Sequence, residues 1–137
     1  MTFIPRNIKK RAKDYQLIKA KQQTEFETFL LKIPVLEALQ NVKTEDPMEQ
    51  LFLSLMVGSD IKINVEALNL QILKDGNFLF QYDWQENILW FNYAKTYANF
   101  YDKFKMSAMG WNSFIRNQIE KYYNFRPISI ADCFIDL

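Results

Sequence analysis

The chain has 137 residues, 49% of them hydrophobic and 24% charged, close to globular averages, which excludes wholesale disorder and a fibrous repeat and bounds the molecule to one domain or one domain with an arm. Histidine is absent and cysteine occurs once, as Cys133, which excludes most triads, His-based proton shuttles, zinc sites and internal disulfides. The net charge of +1 conceals a division. Residues 1–22 hold seven cations (Arg6, Lys9, Lys10, Arg11, Lys13, Lys19, Lys21) against Asp14, a balance of +6, so the remaining residues carry −5. A basic N-terminal helical arm over 1–22 and a single α+β domain over 23–137 are expected.

Residues 8–33 contain neither Gly nor Pro, and Ile8, Ala12, Tyr15, Lys19, Gln22, Phe26, Phe29 and Ile33 recur at spacings of four and three. The spacing predicts a long helix whose second half packs on the body while its first half projects, with a short coiled coil as the alternative. Pro34 disfavours helix at Ile33, so the helix breaks there, ahead of a short segment over 35–41. Asp46, Pro47 and Glu49 form a helix start, with Asp as cap, Pro in the first turn and Glu closing a capping box. Met48, Leu51, Phe52, Leu55 and Met56 then share one helical face, and Gly58 stands where the helix should end.

Beyond Asp60 the period falls to two. Ile61, Ile63 and Val65 alternate with polar residues, and Leu68, Leu70 and Ile72 continue one residue out of phase, so a bulge or short turn is needed near Glu66-Ala67. Asp75-Gly76 predicts a tight hairpin. Phe78, Phe80 and Tyr82 alternate, residues 83–87 form a polar turn, and 88–93 read as an apolar strand buried on both faces. These segments make an antiparallel meander of three or four strands. Two aromatic-rich helices follow, one carrying Tyr93, Tyr97, Phe100, Tyr101 and Phe104, the other Trp111, Phe114, Ile115, Ile119, Tyr122 and Tyr123, with Ser107 as a cap between them. They pack on the sheet. Ser129 and Asp132 have capping-box spacing and suggest a final short turn holding Cys133 and Phe134. The fold class is α+β.

No Gly-rich phosphate loop and no Gly-x-Ser-x-Gly elbow can be built from three glycines. Neither Glu45, Asp46 and Glu49 nor Asp83 and Glu86 need be read as a metal site, since capping and a polar turn explain them, and no cofactor is expected. Asp60-Ile61-Lys62 resembles the acid-x-lysine element of metal-dependent nucleases, but about 1.5 such triplets are expected by chance in this composition and the chain has one. A nuclease is therefore a distant third reading.

The arm offers Arg6, Lys9, Lys10, Arg11, Lys13, Lys19 and Lys21 to nucleic acid, to an acidic partner, to the chain's own acidic body, or simply to solvent. Sixteen of the 22 aromatic residues lie between positions 78 and 125. Most belong to a core, but Trp84 in a polar turn, with Tyr82, Glu86, Tyr93 and Tyr101 nearby in sequence, suggests a surface anchor for protein contact. The sequence thus predicts a non-catalytic protein-binding module acting as a small adaptor, inhibitor or regulator of a larger protein partner. The alternative is a nucleic-acid-binding accessory protein using residues 6–21. A homodimer through the 8–33 helix, no membrane contact and a cytoplasmic location complete the expectations. A codon-like bias toward Lys, Asn, Ile, Phe and Tyr suits a phage or mobile element.

Overall fold

The structure, a computed structural model, describes residues 6–34, 39 and 41–133, with the backbone alone at 6–13. Helix α1 (Arg6–Leu30) leads to α2 (Pro47–Met56), and four strands follow: β1 (Asp60–Asn64), β2 (Asn69–Lys74), β3 (Asn77–Asp83) and β4 (Ile88–Asn92). Then come α3 (Tyr97–Phe104), α4 (Ala108–Tyr123) and β5 (Ser129–Cys133). The fold is α+β, as the order of periodicities implies.

The five strands lie in sequence order across one sheet, β1 to β4 antiparallel and β5 parallel to β4. The final segment is therefore a strand and not the capped turn its Ser129-to-Asp132 spacing suggested. Its alignment pairs Leu89 with Ile130 and Asn92 with Cys133, continuing the ladder that β4 would otherwise leave open. The chain reaches it through α3 and α4, the crossover that adjacent parallel strands require.

The phase slip between β1 and β2 is resolved by a turn. Asn64 Oδ1 accepts the Ala67 amide at 3.0 Å and Leu68 adopts a positive φ of 56°, so β2 starts with its apolar side chains facing those of β1. At the next hairpin Asp75 and Gly76 have φ of 52° and 77°, the left-handed pair that a tight β-hairpin turn needs. The β2–β3 register shifts beside Ile72, so Leu79 and Phe80 both enter the core.

Two rows of partners define the sheet's faces. Ile61, Ile72, Phe80 and Phe91 stand opposite one another, as do Ile63, Leu70, Tyr82, Leu89 and Ile130, and all but the exposed Ile63 belong to the core or pack against it. Beneath α3 and α4, Trp111 meets Phe91 at 5.4 Å and Phe100 at 5.0 Å between ring centres. On the other face Lys62, Gln71, Gln81, Trp90 and Ala131 align across all five strands. Trp90 and Ile88 are half-buried there, so β4 is covered on one face only, contrary to the two-sided burial its apolar run suggested.

Asp46 caps α2 by accepting the Met48 amide at 3.0 Å. Glu49 turns elsewhere. Its carboxylate accepts from Lys121 Nζ at 2.8 Å and from the Tyr122 hydroxyl, tying α2 to α4, so no capping box closes. Ser107 caps α4 through the Gly110 amide at 3.1 Å. Helix α1 ends at Leu30 and gives way to a turn before Pro34. Of the segment expected over 35–41, only Leu39 and Asn41 lie within the described residues, and Leu39 is buried in the core.

Candidate protein-interaction surface

Among the described residues, aromatic packing holds α1 on the body through its C-terminal end. Phe26 is fully buried against Phe29 and Trp84, with ring centres 6.0 Å and 5.6 Å away. Phe29 continues the contact onto Tyr82 at 5.7 Å and onto Phe125 at 5.5 Å. Near the helix end, Asn124 Nδ2 donates to the Lys32 carbonyl at 3.0 Å. The described side chains before this anchor leave the body. Residues 14–21 are all exposed, among them Tyr15 at 67%, Leu17 at 70% and Ile18 at 57% of their full accessibility.

These exposures are not scattered over the helix. Tyr15 precedes Phe26 by eleven residues, close to three turns at 3.6 residues each, and Ile18 lies within a quarter turn of the same line. The face that docks through Phe26 and Phe29 thus runs on into the projecting half with large apolar side chains and nothing against them among the described residues. Leu17 lies on the opposite side. Exposed apolar groups on a projecting helix are costly to hydration and typical of helix-in-groove recognition.

The five aromatic and acidic candidates of the body sit in different environments. Tyr82 is a core residue whose hydroxyl donates to Asn87 Oδ1, and burial pushes its pKa up to about 12. Trp84 is half-buried, and its ring is spent on receiving Phe26 and Phe29. Glu86 is exposed in the turn. Tyr93 is half-buried against Tyr97 at 5.4 Å. Tyr101 is exposed, with Lys105 Nζ 5.1 Å from its ring centre. The structure brings Tyr82 and Trp84 together as the seat of α1 and gives them no shared outward patch with Tyr93 and Tyr101. The basic candidates Lys19 and Lys21 are exposed on α1, and Lys21 approaches Glu25 at 4.0 Å. The side chains of Arg6, Lys9, Lys10, Arg11 and Lys13 lie outside the described ones.

Sequence reasoning missed a second surface, the open face of the sheet. There Trp90 Nε1 donates to Asp83 Oδ2 at 2.8 Å, Gln81 Nε2 to Asp83 Oδ1 at 3.1 Å, and Gln71 Nε2 to Gln81 Oε1 at 2.7 Å. The signal was present in the alternation of Gln71, Gln81 and Asp83. It was hidden because Trp90 sits in an apolar run that read as core.

The chain matches no family model, no curated protein and no solved structure. The interaction surface has to be read from geometry. Among the described residues no three His, Cys, Asp or Glu side chains gather as a metal-holding group, and no helix is long and apolar enough to cross a membrane. Asp60 and Lys62, the nuclease-like pair, lie exposed on edge strand β1, while Asp46 is engaged in capping α2. Cys133 is a half-buried cysteine on β5.

Proposed function

We propose that this chain is a non-catalytic protein-binding module, a small adaptor, inhibitor or regulator, and that its contact element is the projecting half of α1. One observation carries the reading: Tyr15, Leu17 and Ile18 are exposed on a helix whose other end is anchored by Phe26 and Phe29. The Trp84 turn supports this as the anchor's seat rather than as a contact in its own right. A lone cysteine suits a reducing compartment such as the cytoplasm.

The test compares proteins recovered by the wild-type chain with those recovered by Tyr15→Ala/Ile18→Ala, both positions being solvent-exposed and safe for the fold. The expected result is a set of proteins bound by the first and absent from the second, with nuclease treatment making no difference. Identical sets would sink the reading. Nucleic-acid binding remains the second reading because Lys19 and Lys21 are exposed within the +6 segment. It requires duplex or single-stranded DNA to bind at about 50 mM salt and to dissociate steeply as salt rises.

A further inference from the structure

We propose that edge strand β1 is a second docking site, and that it takes an extended segment of a partner protein in which apolar residues alternate with polar ones and a carboxylate faces Lys62. The proposal goes beyond the reading of α1 and uses none of its residues.

β1 stands first in the sheet and pairs on one side only, with β2, from Asp60 opposite Leu73 to Asn64 opposite Asn69. In an antiparallel pair alternate residues turn both backbone groups away from the neighbouring strand, so part of the β1 backbone faces outward. Among the described residues no hydrogen bond takes those groups. The side chains are incomplete in the same direction. Along one row of the core face Leu70, Tyr82 and Leu89 are 0%, 4% and 0% exposed, whereas Ile63, which continues the row onto β1, is 48% exposed. The helix layer reaches β2, where Lys74 Nζ donates to the Ser54 carbonyl of α2 at 2.9 Å, and falls short of Ile63. A further strand would set one apolar side chain against Ile63 and another against the half-buried Ile61.

Edge strands are blunted by Pro, by bulges, by a covering element or by charge. β1 contains no Pro, its register with β2 is unbroken, and the bulge of this sheet lies between β2 and β3. What remains is charge: Lys62 at the centre of the strand, with Asp60 and Asn64 on the same face. Lys62 selects the occupant. A second copy paired antiparallel over all five residues sets Lys62 directly on Lys62 at the two-fold axis, a like-charge opposition that destabilises the pair. Sliding by two residues either way relieves the clash but leaves three residues paired, because the chain turns away before Asp60 and after Asn64. A foreign strand has neither limit, since a carboxylate opposite Lys62 with apolar residues on both sides of it satisfies every position. Main-chain hydrogen bonds then supply the affinity, and the alternate side chains supply the choice of sequence.

The probe is a synthetic peptide alternating Val with Thr around one central Glu, with a Lys at each end for solubility. It is titrated to about 1 mM into the full chain, a range that reaches weak binding, with amide NMR and hydrogen exchange as readouts. The expected result is that outward amides of β1 shift and become protected. Replacing the central Glu of the peptide by Lys weakens binding about fivefold or more, and Lys62→Glu, at an exposed position, reverses that order. Methylating every second peptide nitrogen abolishes binding in one of the two phases only, since only one set of amides faces β1. Circular dichroism of Lys62→Glu confirms its fold. No change at β1 at the highest concentration, binding indifferent to the charge at position 62, or binding retained in both methylated phases overturns the proposal. Protection of β1 that grows with protein concentration in the absence of peptide gives the edge to a second copy and overturns it as well. Tyr15→Ala/Ile18→Ala should leave the peptide-induced shifts unchanged, so failure of the α1 reading and failure of this one are told apart.

Discussion

Glu49 concentrates the fold's most consequential buried charge at a single residue. It is 8% exposed and holds two donors from α4, Lys121 Nζ and the Tyr122 hydroxyl, while the Tyr122 ring stacks on Phe52 at 6.0 Å. The Lys121 hydrogen bond, and after it that of Tyr122, holds the Glu49 carboxyl below its ordinary value of 4.5. Because the folded pKa is the lower one, the ionised carboxylate stabilises the fold fully above pH 4.5 and loses that contribution as pH falls through the depressed value. Lys121 moves the other way, raised by its hydrogen bond to Glu49, so its share is present at neutral pH and is lost only in strong alkali. That share is small, since more than half of the lysine side chain is in water. Glu49→Gln should cost about 1–3 kcal/mol at pH 7, and the gap from wild type should narrow by pH 3. Urea unfolding at both pH values measures it, and an unchanged gap would mean that the charge is irrelevant. The Asp46-to-Glu49 spacing suggested a capping role that Glu49 does not take; its partners, more than seventy residues away, were not legible. Local spacing states what a side chain could reach within its own helix and is silent about what a second helix offers.

Helix α1 shows what one element gains from a two-residue anchor. Phe26 fills a site between Phe29 and Trp84, and replacing a fully buried Phe by Ala removes about 3 kcal/mol through lost burial and the cavity left behind. Phe29, Leu30 and the Asn124–Lys32 bond also hold this end of α1, but they are fewer than the contacts within the body, so Phe26→Ala should loosen the helix before it unfolds the body. Trp84 reports this. Its half-buried indole would meet water, shifting its emission to longer wavelength, while Trp111, fully buried on α4, and Trp90, on the sheet's open face, would not change. Tyr15→Ala is the control and should leave the spectrum as it is. A Phe26→Ala protein with unshifted emission would show that Trp84 does not depend on the helix. The existence of α1 was readable from its unbroken 3.6-residue repeat, but the helix ends at Leu30, three residues before the break that Pro34 implied at Ile33. Which surface receives its aromatic face was not readable, because a polar turn makes Trp84 look exposed until a helix is laid across it. The partly polar seam between Tyr15 and Phe26 had the opposite effect, correctly separating a projecting half from a docked one.

Across the whole molecule the sheet is a meander built from neighbours and completed by one distant strand. Alternation and the Asp75-Gly76 turn pointed to a meander of three or four strands, and β1 to β4 form it because each hairpin is closed by residues adjacent in sequence; their register, with its shift beside Ile72, was not predicted. Strand β5 escaped the same reasoning because Ser129–Cys133 does not alternate polar and apolar residues and because its reason for being extended, the free edge of β4, is remote in sequence. What fixes it is also non-local. The Ile128 amide donates to the Asn87 carbonyl at 3.0 Å, and Arg116 Nη2 holds the Ile128 carbonyl at 2.7 Å. Pairing β5 requires the whole α3–α4 crossover to close first, whereas the hairpins pay only for short turns. An edge strand bought at that entropy should open before the centre does. Hydrogen exchange under native conditions should therefore find β3 amides exchanging only through global unfolding and β5 amides at least about tenfold faster, through an opening that leaves β2–β4 paired. Raising urea would bring the two classes together, since the smaller opening exposes less surface and responds less to denaturant. Equal rates for β3 and β5 in water would instead make the crossover and the meander one cooperative unit, with the parallel strand as deeply built into the fold as the hairpins beside it.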